Sequence, residues 1–250
     1  MRTAIGNYKN EIRKLRARKK YYVFLILEIL VCIVWGLISI LISKASNGYI
    51  DGGFMLAGMN MTTLGFFIEI YIPLIIFMAA CDVYTSEIHD GTIRAIFMRP
   101  VSRLKLYFSK VAAIMTVATV YLVILFVITT MMQIIGAKSI DGIFTAFMSY
   151  FLDLIPMLIL VLFAAMINQF VSSTSLSVIL CIIMYIGLYA FGVVVPQAGS
   201  LLFTGLLMWH KMWVGIMLPF GVMVSKLGML VGYGMVFGCI GYYLFERREV

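Results

Sequence analysis

Six long apolar runs leave this chain few ways to fold. They cover about residues 21–43, 61–83, 111–135, 144–170, 176–195 and 227–245. Each is close to the roughly 20 residues a helix needs to cross about 30 Å of hydrocarbon. Lipid offers no partner to backbone N–H and C=O groups, so an apolar run of that length has to be a helix. Composition agrees: 63% of the residues are apolar and 12% charged, with a mean hydropathy of +1.07. Soluble domains run at about 45–50% apolar and about a quarter charged. The expected fold is an all-α membrane protein. Residues 1–20 form a cytoplasmic amphipathic helix, and 21–250 form a single transmembrane domain of six helices.

The net charge of +8 could suggest a nucleic-acid ligand, but its placement argues for anionic lipid headgroups instead. Eight of the nineteen Lys and Arg residues lie in the first twenty positions, against the first apolar run. With both termini in the cytoplasm, fifteen of the nineteen fall inside, and only Lys44, Lys138, Lys211 and Lys226 fall outside. That asymmetry is the positive-inside pattern. Within 1–20, Ile5, Tyr8, Ile12 and Leu15 recur at helical spacing, which predicts a basic helix lying in the headgroup plane on one apolar stripe.

Little in the chain looks catalytic. GxSxG, HExxH and the phosphate-cradling GxxxxGK[ST] are absent. The four cysteines, Cys32, Cys81, Cys181 and Cys239, make no CxxC pair and read as packing thiols. No cofactor or metal is expected on this chain. Three acids do lie inside the apolar runs: Glu28, Glu69 and Asp153. A carboxylate at mid-bilayer costs about 2.5–3.5 kcal/mol on insertion scales. Each must therefore be held neutral, accept hydrogen bonds from neighbouring helices, or meet water or a cationic substrate. Glu28 is near enough to the basic collar to reach toward it. Glu69, Glu28 and Asp153 are all candidates for the wall of a translocation path, and Glu69, deeper and beside the helix-breaking Pro73, is the best of them. In the last run, Gly228 with Gly232 and Gly234 with Gly238 have the four-residue spacing of close helix contacts, within the protomer or across a dimer seam.

The most patterned polar stretch is Tyr84–Lys110, between the second and third runs. Its charge density excludes it from hydrocarbon, and its five basic residues place it on the cytoplasmic side. Ile93, Ile96 and Phe97 fall at helical spacing, Gly91 precedes this short helix, and Pro100 ends it. Ser102 is then available to cap the next helix. The sequence Glu87-x-x-x-Gly91-Thr92, then Arg99-Pro100-Val101-Ser102-Arg103 and Lys110, resembles the first cytoplasmic loop of type 2 ABC permeases, the six-span membrane subunits of ABC exporters.

That resemblance implies a coupling helix contacting a separate ABC ATPase subunit, with Glu87, Gly91, Thr92, Arg94, Arg99, Pro100 and Arg103 as the coupling residues. ATP and Mg would then sit on that partner. It also implies a second permease subunit, identical or a paralogue, with its seam on spans one and five, and a bacterial cytoplasmic membrane location. Residues 196–226, where Pro, Gly, His210 and Lys211 interrupt an apolar stretch, read as two short helices dipping into the outer leaflet. The family has a similar external re-entrant hairpin before its last span. Small members of the family export amphipathic or antimicrobial peptides and bacitracin-like or lantibiotic compounds. The rival readings are a stand-alone channel or proton-coupled transporter relaying through Glu69 and Asp153, and a structural membrane anchor.

Overall fold

The computed structural model describes residues 2–45, 56, 58–89, 91, 102–138, 140–214 and 219–247. Among them all regular structure is helical. Helix α1 (Arg2–Ala17) is followed after one residue by α2 (Lys19–Ala45). Then come α3 (Met59–Ile88), α4 (Arg103–Ala137), and the broken pair α5 (Ile143–Leu152) and α6 (Leu154–Ile167). Helix α7 (Thr174–Val194) leads into the short α8 (Pro196–Gly199) and two 3-10 turns, Phe203–Leu206 and Trp209–Met212. Helix α9 (Phe220–Arg247) ends the described chain. Among the described residues, six helical stretches are long and apolar enough to cross a membrane.

Burial sorts these helices. α3 and the α5–α6 pair are mostly enclosed, whereas α2, α7 and α9 expose most of their apolar residues. The centre is α3, α4 and α6, with Phe67, Ile72, Ile76, Ala113, Ile114, Leu160 and Ala164 almost fully buried. α9 packs along α6, where a Cβ on Gly234 would lie 2.9 Å from Ile159 Cδ1 and one on Gly238 3.9 Å from Leu162 Cδ2. The Gly228 and Gly232 pair meets nothing within 4 Å. Only the second half of the four-residue spacing is therefore a contact within the protomer.

Several helices differ in detail from what hydropathy predicts. α4 begins at Arg103 rather than near 111, so Lys105 and Lys110 belong to a helix and not a loop. Ser102 occupies the N-cap position with extended backbone but makes no side-chain cap bond. The fourth run breaks at Asp153, three residues before Pro156, which has no N–H and cannot continue the ladder. α9 starts at Phe220 and takes in Lys226. α3 holds two π-helical turns, Phe67–Tyr71 and Cys81–Thr85, each next to an acid of the chain.

Polar contacts pin the helix ends. Asn60 donates to Gln133, whose own amide donates to the Asp141 carbonyl, tying α3 to α4 and the turn beyond it. At the opposite end Thr85 and Ser177 both donate to Asn168 Oδ1, at 2.8 and 2.6 Å, closing the turn between α6 and α7. Between α7 and the 3-10 turns the chain doubles back tightly. An ideal Cβ on Gly199 would lie 2.5 Å from the Gly192 carbonyl oxygen, and one on Gly205 would collide with the Gly199 carbonyl. Glycine is the residue that lets backbones approach this closely. Gly199→Ala is accordingly expected to destabilise the chain by about 1–3 kcal/mol, the usual cost of overpacking, read as a lowered midpoint in thermal unfolding of the purified protein.

Candidate functional site

The chain's charges gather at the end of the bundle where α1, the start of α2, the end of α3 and the start of α4 meet. Glu87 lies between two lysines, with Oε1 2.6 Å from Lys14 Nζ and Oε2 2.6 Å from Lys110 Nζ. Lys110 is 1% exposed and also donates to the Val83 carbonyl at 2.7 Å. Glu11 stands 3.2 Å from Lys14 and 3.7 Å from Lys110. One helical turn away, Asp82 takes hydrogen bonds from Arg18 (2.7 Å), Lys20 (2.8 Å) and the Tyr21 hydroxyl (2.6 Å), and Arg18 reaches Ser86 as well. Burial would push Lys14 down, but the hydrogen bond and charge of Glu87, with Glu11 behind it, hold its ammonium above the ordinary lysine value.

This network recasts the amphipathic helix. The stripe on α1 does not lie free: Leu15 is buried, Tyr8 and Ile12 pack toward the core, and Tyr8 shares a 2.8 Å hydrogen bond with Thr116 of α4. Ile5 alone of the four remains largely exposed.

The expected coupling residues divide by position. Glu87 faces inward, with both oxygens engaged by this chain's own lysines. Gly91 follows the end of α3 with φ of 66°, a left-handed conformation that favours glycine, and donates to the Ile88 carbonyl. Arg103 opens α4 and donates to the Glu246 carbonyl near the end of α9. Thr92, Arg94, Arg99 and Pro100, and with them the short helix expected there, lie outside the described residues.

The three intramembrane acids have three different surroundings. Asp153, at the α5–α6 break, accepts from the His210 backbone N–H at 2.8 Å and lies 2.6 Å from His210 Nδ1, both side chains being buried. This pair anchors the 3-10 turn to the fourth run. Glu28 is fully enclosed, and neither of its carboxyl oxygens has a hydrogen-bond partner. Glu69 alone is partly exposed. It lines a groove of about 400 Å3 between α3 and α7, walled by Ile70, Leu74, Phe77, Ile186, Tyr185 and Tyr189. Pro73 deprives the Glu69 carbonyl of its helical donor, and the Tyr185 hydroxyl takes that place at 2.6 Å. Tyr189 donates to the Glu69 carboxylate at 3.3 Å.

Sequence reasoning missed Asp82, His210 and the inward turn of Lys14. A signal existed for the first: Asp82 and Ser86 stand four apart at the end of an apolar run, as Lys14 and Arg18 do on the basic helix. Nothing local to position 210 announces its partner at 153.

The family model described as ABC-2 family transporter protein matches residues 8–188, more than half of the chain. The chain belongs to that family. It is therefore a multi-pass membrane permease of an ABC transporter, a transport component rather than a catalytic one. No curated protein matches it significantly.

Two outcomes are expected for the permease. Lys110→Met should cost about 3–5 kcal/mol in thermal unfolding by leaving Glu87 and Glu11 poorly compensated, and the double variant with Glu87→Gln should recover much of it. Glu28→Met should be neutral or stabilising in the same assay, because it removes buried oxygens that have no partner.

Proposed function

We propose that the permease exports an amphipathic, cationic cargo, paired with a second permease subunit and driven by ATP and Mg on separate ATPase subunits docked beneath residues 87–103. The observation that carries the cargo class is the Glu69 groove. An acid left partly uncovered on an outer helix face at membrane depth is costly against lipid. A cargo cation offsets that cost, the Ile and Leu walls suit an apolar body, and tyrosine faces attract cations. Glu69 is thus the path residue, while Asp153 and Glu28 serve the packing of the bundle. A proton relay through Glu69 and Asp153 is not favoured, since no hydrogen bond joins them among the described residues and His210 engages Asp153.

Coupling follows from the ion network. Movement of the 87–103 element pulls on Glu87, which is tied to α1 through Lys14 and to α4 through Lys110. The helices then shift together and open the path alternately, provided the ATPase contacts differ between the two states. Within this reading Glu87 positions the coupling element, and Thr92, Arg94 and Arg99 meet the partner.

In proteoliposomes containing the permease and its ATPase, Glu69→Gln is expected to raise the concentration of a cationic amphipathic peptide needed for half-maximal ATPase stimulation about tenfold or more. That corresponds to loss of a charged hydrogen bond worth about 1.5–3 kcal/mol. Basal hydrolysis should be unchanged. Arg99→Glu should abolish stimulation while leaving membrane insertion intact; transport that survives it overturns the docking assignment.

A further inference from the structure

The basic residues around α1 whose side chains the structure describes fall into two sets. Lys14, Arg18 and Lys20 turn inward to Glu87 and Asp82. Lys9, Arg13, Arg16 and Lys19 are exposed and have no carboxylate within ion-pair distance among the described residues. Lys9, Arg13 and Arg16 stand at steps of four and three, on one helix face. Beside the last of them opens a groove of about 300 Å3 between α1, α2 and α4. Ile12, Leu25, Val117 and Val120 wall it, and Arg16 is its sole charged lining residue. Tyr121 donates to the Tyr21 carbonyl at 2.6 Å, closing α2 onto α4 beside it. Tyr21, Tyr22 and Tyr121 mark the level, since tyrosine collects at the headgroup boundary.

A narrow apolar groove opening at that boundary, with an uncompensated guanidinium at its edge, matches a molecule with an anionic head and a hydrocarbon tail. We propose that it binds one anionic phospholipid, its acyl chain in the groove and its phosphate on Arg16. A zwitterionic headgroup is disfavoured, because Arg13 and Lys19 add positive charge beside Arg16 without any acid to balance them. The site does not depend on the cargo or on the ATPase. Its position does give the lipid leverage: it bridges α1 to α4, and α1 carries the lysine that holds Glu87.

The test uses the full chain in nanodiscs of phosphatidylcholine with phosphatidylglycerol admixed, extracted into detergent and examined by native mass spectrometry. The wild-type chain should retain a single phosphatidylglycerol in preference to phosphatidylcholine. Arg16→Gln should lower that retention about tenfold, as expected for roughly 1.4 kcal/mol. Val120→Trp, which fills the groove and leaves every charge in place, should lower it as much. The double variant Lys9→Gln with Lys44→Gln removes more charge, at exposed positions that do not line the groove, and should keep the lipid. Equal retention of phosphatidylcholine overturns the site. So does retention that follows the number of charges removed and ignores Val120→Trp.

Discussion

Glu87, held from both sides by Lys14 and Lys110, is the contact on which the rest of the architecture depends. Buried ion pairs seldom add net stability, because desolvation consumes most of the attraction. What they do is forbid alternatives. A Glu87 pulled away from Lys110 would leave charge poorly compensated where little water reaches. The contact ties the end of α3, the N-terminal helix and the start of α4 to one another. The second cluster around Asp82 repeats the constraint one turn away and fixes the corner between α1 and α2. In the proposed function this is the element through which the ATPase would act on the bundle.

Deeper in the bundle the recurring theme is substitution for missing hydrogen bonds. Pro73 strips the Glu69 carbonyl of its helical donor and Tyr185 from α7 supplies another. Pro156 stands just past a broken helix, and the side chain at that break binds a histidine more than fifty residues away. Both the Tyr185 bond and the Asp153–His210 pair reach a distant segment, so each local irregularity also becomes a tertiary tie. This is how proline is tolerated at membrane depth.

The fold was largely legible in the sequence because hydropathy and charge asymmetry act residue by residue along the chain. Six apolar helices and membership of an ABC-2 transporter family both follow from local composition. What stayed hidden depends on meetings between distant segments. The partner of Asp153 is His210, in a stretch whose sequence shows only that a full span is broken there. The stripe of α1 was visible, but a stripe fits a helix packed on α4 as well as one lying on lipid. Glu69 was singled out by its neighbour Pro73; its flanking tyrosines sit on α7, more than a hundred residues further along.

The two π-turns of α3 set the phase of everything beyond them. Each accommodates one more residue than an α-helical turn, and one residue is about 100° of rotation. Between them they decide which way Asp82 and Glu87 point relative to Met59 and Asn60. The relation between the two ends of α3 is thus stored as two surplus residues in one helix. A single deletion at either turn would leave hydropathy and length almost untouched and yet aim the whole acidic face away from its lysines.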